Sequence, residues 1–257
     1  MNSNEKRGSS LQVLLYDYLE NSKLRFLIAF IIFSYLVQLI GSLVDFDLVK
    51  FIANVLPILI SIGLLRFYSS VMKREFTKDT LNLIVSLLKF AFVVAIISAV
   101  LTGFVFFASL ASGHLWATSY LLTTTLMVVF LALAYKASAD ALSGLGKSFF
   151  DARINREAFD AAGTRWLLYG AVSLFALLLL FTAPKDVSDL LESSINFKRI
   201  DLTDLSTVLT LLQSIFGAIT PFVLSYAFKK GDQNLARIQD EYYASEGKNM
   251  FEDNASF

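Results

Sequence analysis

The chain has 257 residues, with 22 acidic and 22 basic side chains, and 56% of its residues are hydrophobic. So apolar a composition excludes an ordinary soluble domain and predicts an integral membrane protein. The zero formal net charge gives no general attraction to nucleic acid, and the absence of cysteine excludes disulfides, thiolate metal sites and cysteine nucleophiles.

The N-terminal segment, residues 1–23, is mostly polar and is expected to lie in the cytosol. Leu11, Leu14, Leu15 and Tyr18 recur at helical spacing, which predicts a short amphipathic helix. Two interpretations stay open. The helix lies on the membrane surface, or it packs on the protein's own cytosolic loops.

Apolar runs, uncharged except for Lys50 and Arg66 at the two ends of the second, predict six transmembrane helices, because about 20 residues cross a hydrocarbon core about 30 Å thick. The longest such run, from Phe90 to Tyr135, is too long for one helix, and small and polar residues at 111–114 divide it into a hairpin of two. Lys89 then lies at the cytosolic end of the third span. The fold class is all-α and polytopic, with spans at about 26–44, 49–68, 90–110, 115–135, 166–184 and 205–228.

Two further segments are expected on the cytosolic side. Residues 137–165 form an amphipathic connector, which either continues the fourth span or breaks near Gly144 and Gly146, each of which weakens a helix by about 1 kcal/mol relative to alanine. Gly231 can end the sixth helix. The C-terminal tail, residues 231–257, is expected to carry a separate helix over 232–243.

The distribution of basic residues predicts the orientation. With six spans, most of the 22 Lys and Arg residues fall on the side of the termini, and the other side receives only Lys50, Lys185, Lys198 and Arg199. The positive-inside rule therefore predicts cytosolic N- and C-termini in the cell (inner) membrane. Basic-aromatic pairs such as Arg25-Phe26, Lys89-Phe90 and Arg165-Trp166 begin three spans, which fits either three repeated hairpins or the ordinary preference of both residue types for the interface.

The residue types give little basis for catalysis. The chain has one histidine, and no predicted span contains Asp or Glu, so we expect no metal site, no cofactor and no catalytic residues. His114 lies in the predicted outer turn, where a hydrated loop histidine is a simpler interpretation than a Ser-His hydrolase. This pattern favours a protein without enzymatic activity.

Polar residues follow one side of the sixth span, and the fourth span contributes Thr124. They line a path for a small solute, or they allow close helix packing, since small and hydroxyl-bearing residues let membrane helices approach. The candidate residues are Thr124, Thr210, Gln213, Ser214, Gly217 and Thr220.

The leading functional hypothesis is a non-catalytic component of a membrane complex. Its expected surroundings are the lipid bilayer and either a second copy of the chain or another membrane protein. The alternative is a channel or facilitator for a small neutral solute or ion, lined by the hydroxyl and amide side chains above. The predicted partner-contact face lies on the connector and comprises Lys147, Asp151, Arg153 and Arg156.

Overall fold

The computed structural model describes most of the chain from residue 78 onward and scattered positions before it. The backbone is described for residues 13–14, 26, 29–34, 36–37, 40, 59, 62–63, 65–67, 69–70, 73, 78–111, 113, 115–151, 156–181 and 205–254. Side chains are described at these positions except 147–151, 180–181, 205–211, 213–214 and 245–254.

Four long helices account for nearly all of the described backbone from residue 78 onward. They are α1 (Lys78–Leu110), α2 (Leu115–Asp151), α3 (Glu157–Phe181) and α4 (Leu205–Asn254). No strand occurs within the described ranges, so the all-helical prediction is confirmed for this part of the chain.

Three of these helices are long and apolar enough to cross a membrane: Lys78–Leu110, Leu115–Gly146 and Glu157–Leu179. They are consistent with a membrane protein and are half of the six predicted spans. About half of the predicted span at 26–44 and most of the predicted span at 49–68 lie outside the described residues. The span at 205–228 lies on the α4 backbone, but most side chains of its first half lie outside them.

The turn between α1 and α2 lies where the sequence predicts it. α1 ends at Leu110, α2 begins at Leu115, and the Ala111 N–H donates to the Ala108 carbonyl at 3.3 Å. Gly113 has a φ of 71°, a backbone conformation that glycine adopts without the steric cost a side chain imposes.

The helices are longer than the predicted spans: the connector continues the fourth span, which is one of the two predicted alternatives, and Gly231 does not end the last helix. α2 continues through Gly144 and Gly146, and α4 continues through Gly231. The physical reason is close packing: a Cβ at Gly146 would collide with the Leu81 side chain, and one at Gly231 would lie 3.0 Å from the Phe159 ring. These two glycines therefore allow neighbouring helices to approach without ending the helices that contain them.

Consecutive helices pack against each other as antiparallel neighbours, α1 on α2, α2 on α3 and α3 on α4. We call the end that carries Leu81, Gly146, Phe159 and Gly231 the basal end. Most of the large buried side chains gather there in one cluster, the basal cluster, which includes Leu81, Ile84, Val85, Leu88, Leu145, Phe159, Trp166, Leu235 and Ile238. Leu14 packs against this cluster, which favours the second interpretation of the N-terminal helix.

The opposite end of α1 and α2 is apolar but exposed. Phe104, Phe107 and Leu115 are 70%, 68% and 84% exposed. Between Lys89 and Leu110, α1 rises about 32 Å, close to the thickness of a hydrocarbon core. Lipid accommodates such a surface, whereas water does not.

Residues before α1 also pack on the long helices. The Phe30 and Phe33 rings lie 5.5 Å and 5.3 Å from the Phe216 ring of α4. A Cβ at Gly63 would lie 3.1 Å from Leu87 of α1. The early part of the chain therefore contacts both the last helix and the first.

Candidate functional site

Of the polar residues predicted on α4, Thr220 has described hydrogen bonds, and its partners are other than Thr124. Thr220 is buried, and its hydroxyl lies 2.6 Å from the Ser34 hydroxyl. Because Thr220 also donates to the Phe216 carbonyl of its own helix, Ser34 supplies the hydrogen in the bond between the two hydroxyls. This arrangement joins two segments of the chain and fully uses the Thr220 proton.

The other members of the predicted polar set lie in different surroundings. Gly217 is exposed, and a Cβ there would meet nothing within 4 Å. Thr210, Gln213 and Ser214 lie on the α4 backbone, and their side chains are outside the described set.

The three consecutive threonines of α2 donate to their own helix. Thr123, Thr124 and Thr125 donate to the carbonyls of Ser119, Tyr120 and Leu121 at 2.8, 2.9 and 2.8 Å. This is the usual way for a threonine in an apolar helix to satisfy its hydroxyl. The predicted path residue Thr124 therefore offers a lone pair, but no free proton, to a solute.

Of the predicted partner-contact residues, only Arg156 has a described side chain. Its Nε lies 3.3 Å from Asp232 Oδ1, so its partner is the C-terminal part of the same chain. Lys147 and Asp151 lie on the last turns of α2, and Arg153 falls outside the described residues. A partly buried ion pair at the protein surface contributes on the order of 1 kcal/mol.

Apolar contacts extend this ion pair into an interface between the connector and the tail. Phe159 contacts Phe228, with the ring centroids 5.9 Å apart, and closes over Gly231. One turn further along α4, Leu235 and Ile238 are each only 2% exposed. We call this contact, formed by Arg156, Phe159, Gly163, Phe228, Gly231, Asp232 and Leu235, the connector–tail interface.

Sequence reasoning identified the two apolar faces but not their pairing. The spacing of Leu235, Ile238 and Tyr242 predicts one apolar side of a helix, and the structure packs that side on the protein itself. The exposed side of the tail is polar, with Gln233, Arg237 and Glu241 outward and an Arg237–Glu241 ion pair at 3.5 Å.

A second buried network joins α2 and α3. Trp166 Nε1 donates to the Ser138 hydroxyl at 2.8 Å, and Ser138 donates to the Ala134 carbonyl at 2.8 Å. The rings of Tyr135 and Tyr169 pack edge-on against Trp166, each at a centroid distance of 5.7 Å. Trp166, whose position at the start of a span indicates an interfacial residue, is only 4% exposed and holds two helices together.

Trp116 lies at the opposite end, where α2 begins. Its ring stacks on Tyr120 at 5.4 Å, and its Nε1 donates to the Leu179 carbonyl at 3.2 Å. Leu179 lies near the end of the described part of α3. Trp116 therefore joins the start of α2 to this part of α3.

The described residues contain no group of three or more His, Cys, Asp or Glu side chains that could hold a metal ion. His114 lies outside them. No family model, curated protein or solved structure that the chain was compared with matches it. The candidate functional surface is accordingly the basal end, where the connector and the tail meet.

Proposed function

We propose that the chain spans the cell (inner) membrane six times, with both termini in the cytosol. We further propose that it works there without catalysis, as a component that assembles with a second copy or with another membrane protein. The observation that carries this proposal is the basal end, where all four long helices extend beyond the exposed apolar stretch. From Lys230 to Asn254, α4 extends about 36 Å further.

The connector–tail interface makes this extension a rigid surface. Leu235 and Ile238 hold one side of the tail against the bundle, and the Arg156–Asp232 ion pair lies beside them. The opposite side of the tail presents Gln233, Arg237 and Glu241 to solvent. A fixed helix with an exposed charged side is suited to selecting one partner by charge complementarity.

The channel alternative has less support. Thr220 and Thr124 donate their hydroxyl protons to carbonyls of their own helices, and Thr220 also bonds to Ser34. These contacts support close helix packing as the role of the polar residues, because each hydroxyl proton already has a partner within the protein.

The proposed topology can be tested by single-cysteine labelling, since the chain contains no cysteine of its own. Ala111→Cys and Ser194→Cys are expected to react with an impermeant maleimide from outside intact cells. Ser3→Cys and Ala244→Cys are expected to react only after the membrane is opened. Ala111 is preferred to Gly113 because the positive φ at Gly113 strains any other residue.

Labelling of Ser3→Cys from outside would contradict six spans.

The contacts near Ser34 impose one condition on the proposal. Phe30 contacts Phe216, and Ser34 contacts Thr220. Ser34 lies four residues after Phe30, and Thr220 lies four residues after Phe216, so the two pairs follow one another in the same chain direction. With six spans, the first and sixth helices run in opposite directions across the membrane. Two such helices make both contacts only where their axes cross at a steep angle.

Assembly can be tested by crosslinking in membranes and identifying the bound proteins. Deleting residues 232–257 would remove Leu235 and Ile238 from the basal cluster, so the informative variant is the exchange Arg237→Glu with Glu241→Arg. It keeps the ion pair and reverses the charge pattern on the exposed side. We expect crosslinking to fall about tenfold, which corresponds to a loss of about 1.4 kcal/mol of binding free energy.

Arg237→Lys with Glu241→Asp, which keeps the charge pattern on the exposed side, is the matched control and is expected to leave crosslinking unchanged. If the exchanged variant and the wild-type chain capture the same proteins in the same amounts, the tail is not the contact surface and the assembly proposal fails.

A further inference from the structure

Basic residues mark the level at which the exposed apolar stretch of each helix meets the basal end. Four of the five lie beside an aromatic residue, as in Tyr135-Lys136 and Arg165-Trp166. We call this set the basic belt. It consists of Lys89 on α1, Lys136 on α2, Arg165 on α3, and Lys229 and Lys230 on α4.

Contacts between neighbouring helices place the belt residues at one height. Leu81 of α1 packs against Gly146 of α2, so these two residues lie at the same height along the bundle axis. In the same way, the hydrogen bond from Trp166 to Ser138 puts these residues of α3 and α2 at one height. α3 and α4 are aligned by Gly163, whose Cβ would meet Lys229 itself. With a rise of 1.5 Å per residue, these alignments put all five cations within about 9 Å along the bundle axis.

Within the described residues, the belt cations form no ion pair with a carboxylate, unlike the cations below them. None of the five forms an ion pair with any residue in the part of the chain that the structure describes, whereas Arg156 and Arg237 pair with Asp232 and Glu241. Lys230 donates to the Gln233 amide at 3.3 Å. Asp140, one turn beyond Lys136 on α2, is exposed and forms no ion pair with it.

Arg165 reaches from α3 to the turn of α2 that carries Lys136. Arg165 Nη1 donates to the Leu133 carbonyl at 3.5 Å, which is a long hydrogen bond and leaves most of the guanidinium donors free. A helix carbonyl points along the axis toward the residue four positions later, here Ala137. The guanidinium is therefore beside the turn that carries Lys136, and two cations so placed repel unless an anion lies between them.

The height of the belt indicates which anion is available. It lies about 32 Å from the α1–α2 turn, the thickness of a hydrocarbon core, and so at the level of one layer of lipid head groups. We propose that the basic belt binds the phosphate groups of anionic phospholipids, with Lys136 and Arg165 as its central site. Basic clusters between helices at this level suit such head groups, and a guanidinium binds phosphate through paired hydrogen bonds. The proposal rests on the membrane-spanning part of the proposed function and not on assembly.

The test uses the purified full chain in a neutral detergent and measures its thermal unfolding midpoint as lipid is added. Phosphatidylglycerol is expected to raise the midpoint, because a ligand of the folded state stabilises it, and phosphatidylcholine is not. The double variant Lys136→Gln with Arg165→Gln loses two basic contacts. It is therefore expected to need about 30-fold more phosphatidylglycerol to reach half of the maximal shift in the unfolding midpoint.

Two variants separate lipid binding from general damage. Lys73→Gln with Lys78→Gln removes the same charge from exposed positions outside the belt and is expected to respond like the wild type. Lys136→Arg with Arg165→Lys keeps both charges and is expected to retain the shift.

Equal shifts of the unfolding midpoint with both lipids would overturn the proposal. So would an equal loss of the response to phosphatidylglycerol in the two double glutamine variants. A wild-type shift reproduced by inorganic phosphate alone would assign the site to free phosphate instead. A negative result in this test leaves the crosslinking result on the tail unaffected. Whether the chain spans the membrane is tested separately, by cysteine labelling.

Discussion

Leu235→Ala is expected to lower the free energy of unfolding by about 2–5 kcal/mol, the usual cost of removing a large buried aliphatic side chain. Leu235 is 2% exposed and belongs to the basal cluster with Phe159 and Ile238. The expected effect is large because the tail is packed as part of the bundle. An independent surface helix would lose almost nothing.

The measurement is equilibrium unfolding in detergent, combined with limited proteolysis of the tail. Tyr243→Ala, at a residue 60% exposed on the same helix, is the control and is expected to change stability by about 0.5 kcal/mol or less. If the two variants unfold alike and their tails are cleaved at the same rate, the tail does not pack on the basal cluster.

Gly163→Leu is expected to destabilise the bundle by about 1–3 kcal/mol through overpacking between α3 and α4. A Cβ at Gly163 would lie 2.7 Å from Lys229 Cγ and 3.0 Å from the Ser225 carbonyl oxygen. The lysine stem can move aside, but the carbonyl belongs to the α4 backbone. The two helices must therefore separate to admit any side chain.

Gly217→Leu is the matched control, since nothing lies within 4 Å of a Cβ at that position. It is expected to be neutral or to stabilise α4 by up to about 1 kcal/mol, the difference in helix propensity between the two residues. Unfolding midpoints of the two variants should therefore move apart. A shift of the same sign and size in both would mean that α3 and α4 do not meet closely at Gly163.

Glycine illustrates where sequence reasoning left two alternatives open or reached the wrong conclusion. Low helix propensity allows a break at Gly144 or Gly146 and predicts an end at Gly231, whereas the structure runs α2 and α4 straight through. Propensity amounts to about 1 kcal/mol per glycine, which the burial of Leu81 against α2, or of Phe159 against α4, can offset. The neighbouring helix that supplies this burial is not visible in the local sequence.

The candidate contact surface was predictable in its parts. Helical spacing identifies the apolar side of the tail, and charge identifies Arg156 as an exposed connector residue. Their pairing was not predictable, because Arg156 and Asp232 lie 76 positions apart. The Ser34–Thr220 hydrogen bond, which joins residues 186 positions apart, had no local signal either.

The sequence by itself determined the features that depend on local composition: an all-helical chain, apolar runs long enough to cross a membrane, and the turn at 111–114. Each follows from hydropathy and turn chemistry within about 20 residues. Only the tertiary structure decided that the connector and the tail bury each other, that Trp166 lies between α2 and α3, and that the basic belt is level around the bundle. Those features depend on which helix faces which, and that is settled by packing between side chains far apart in the chain.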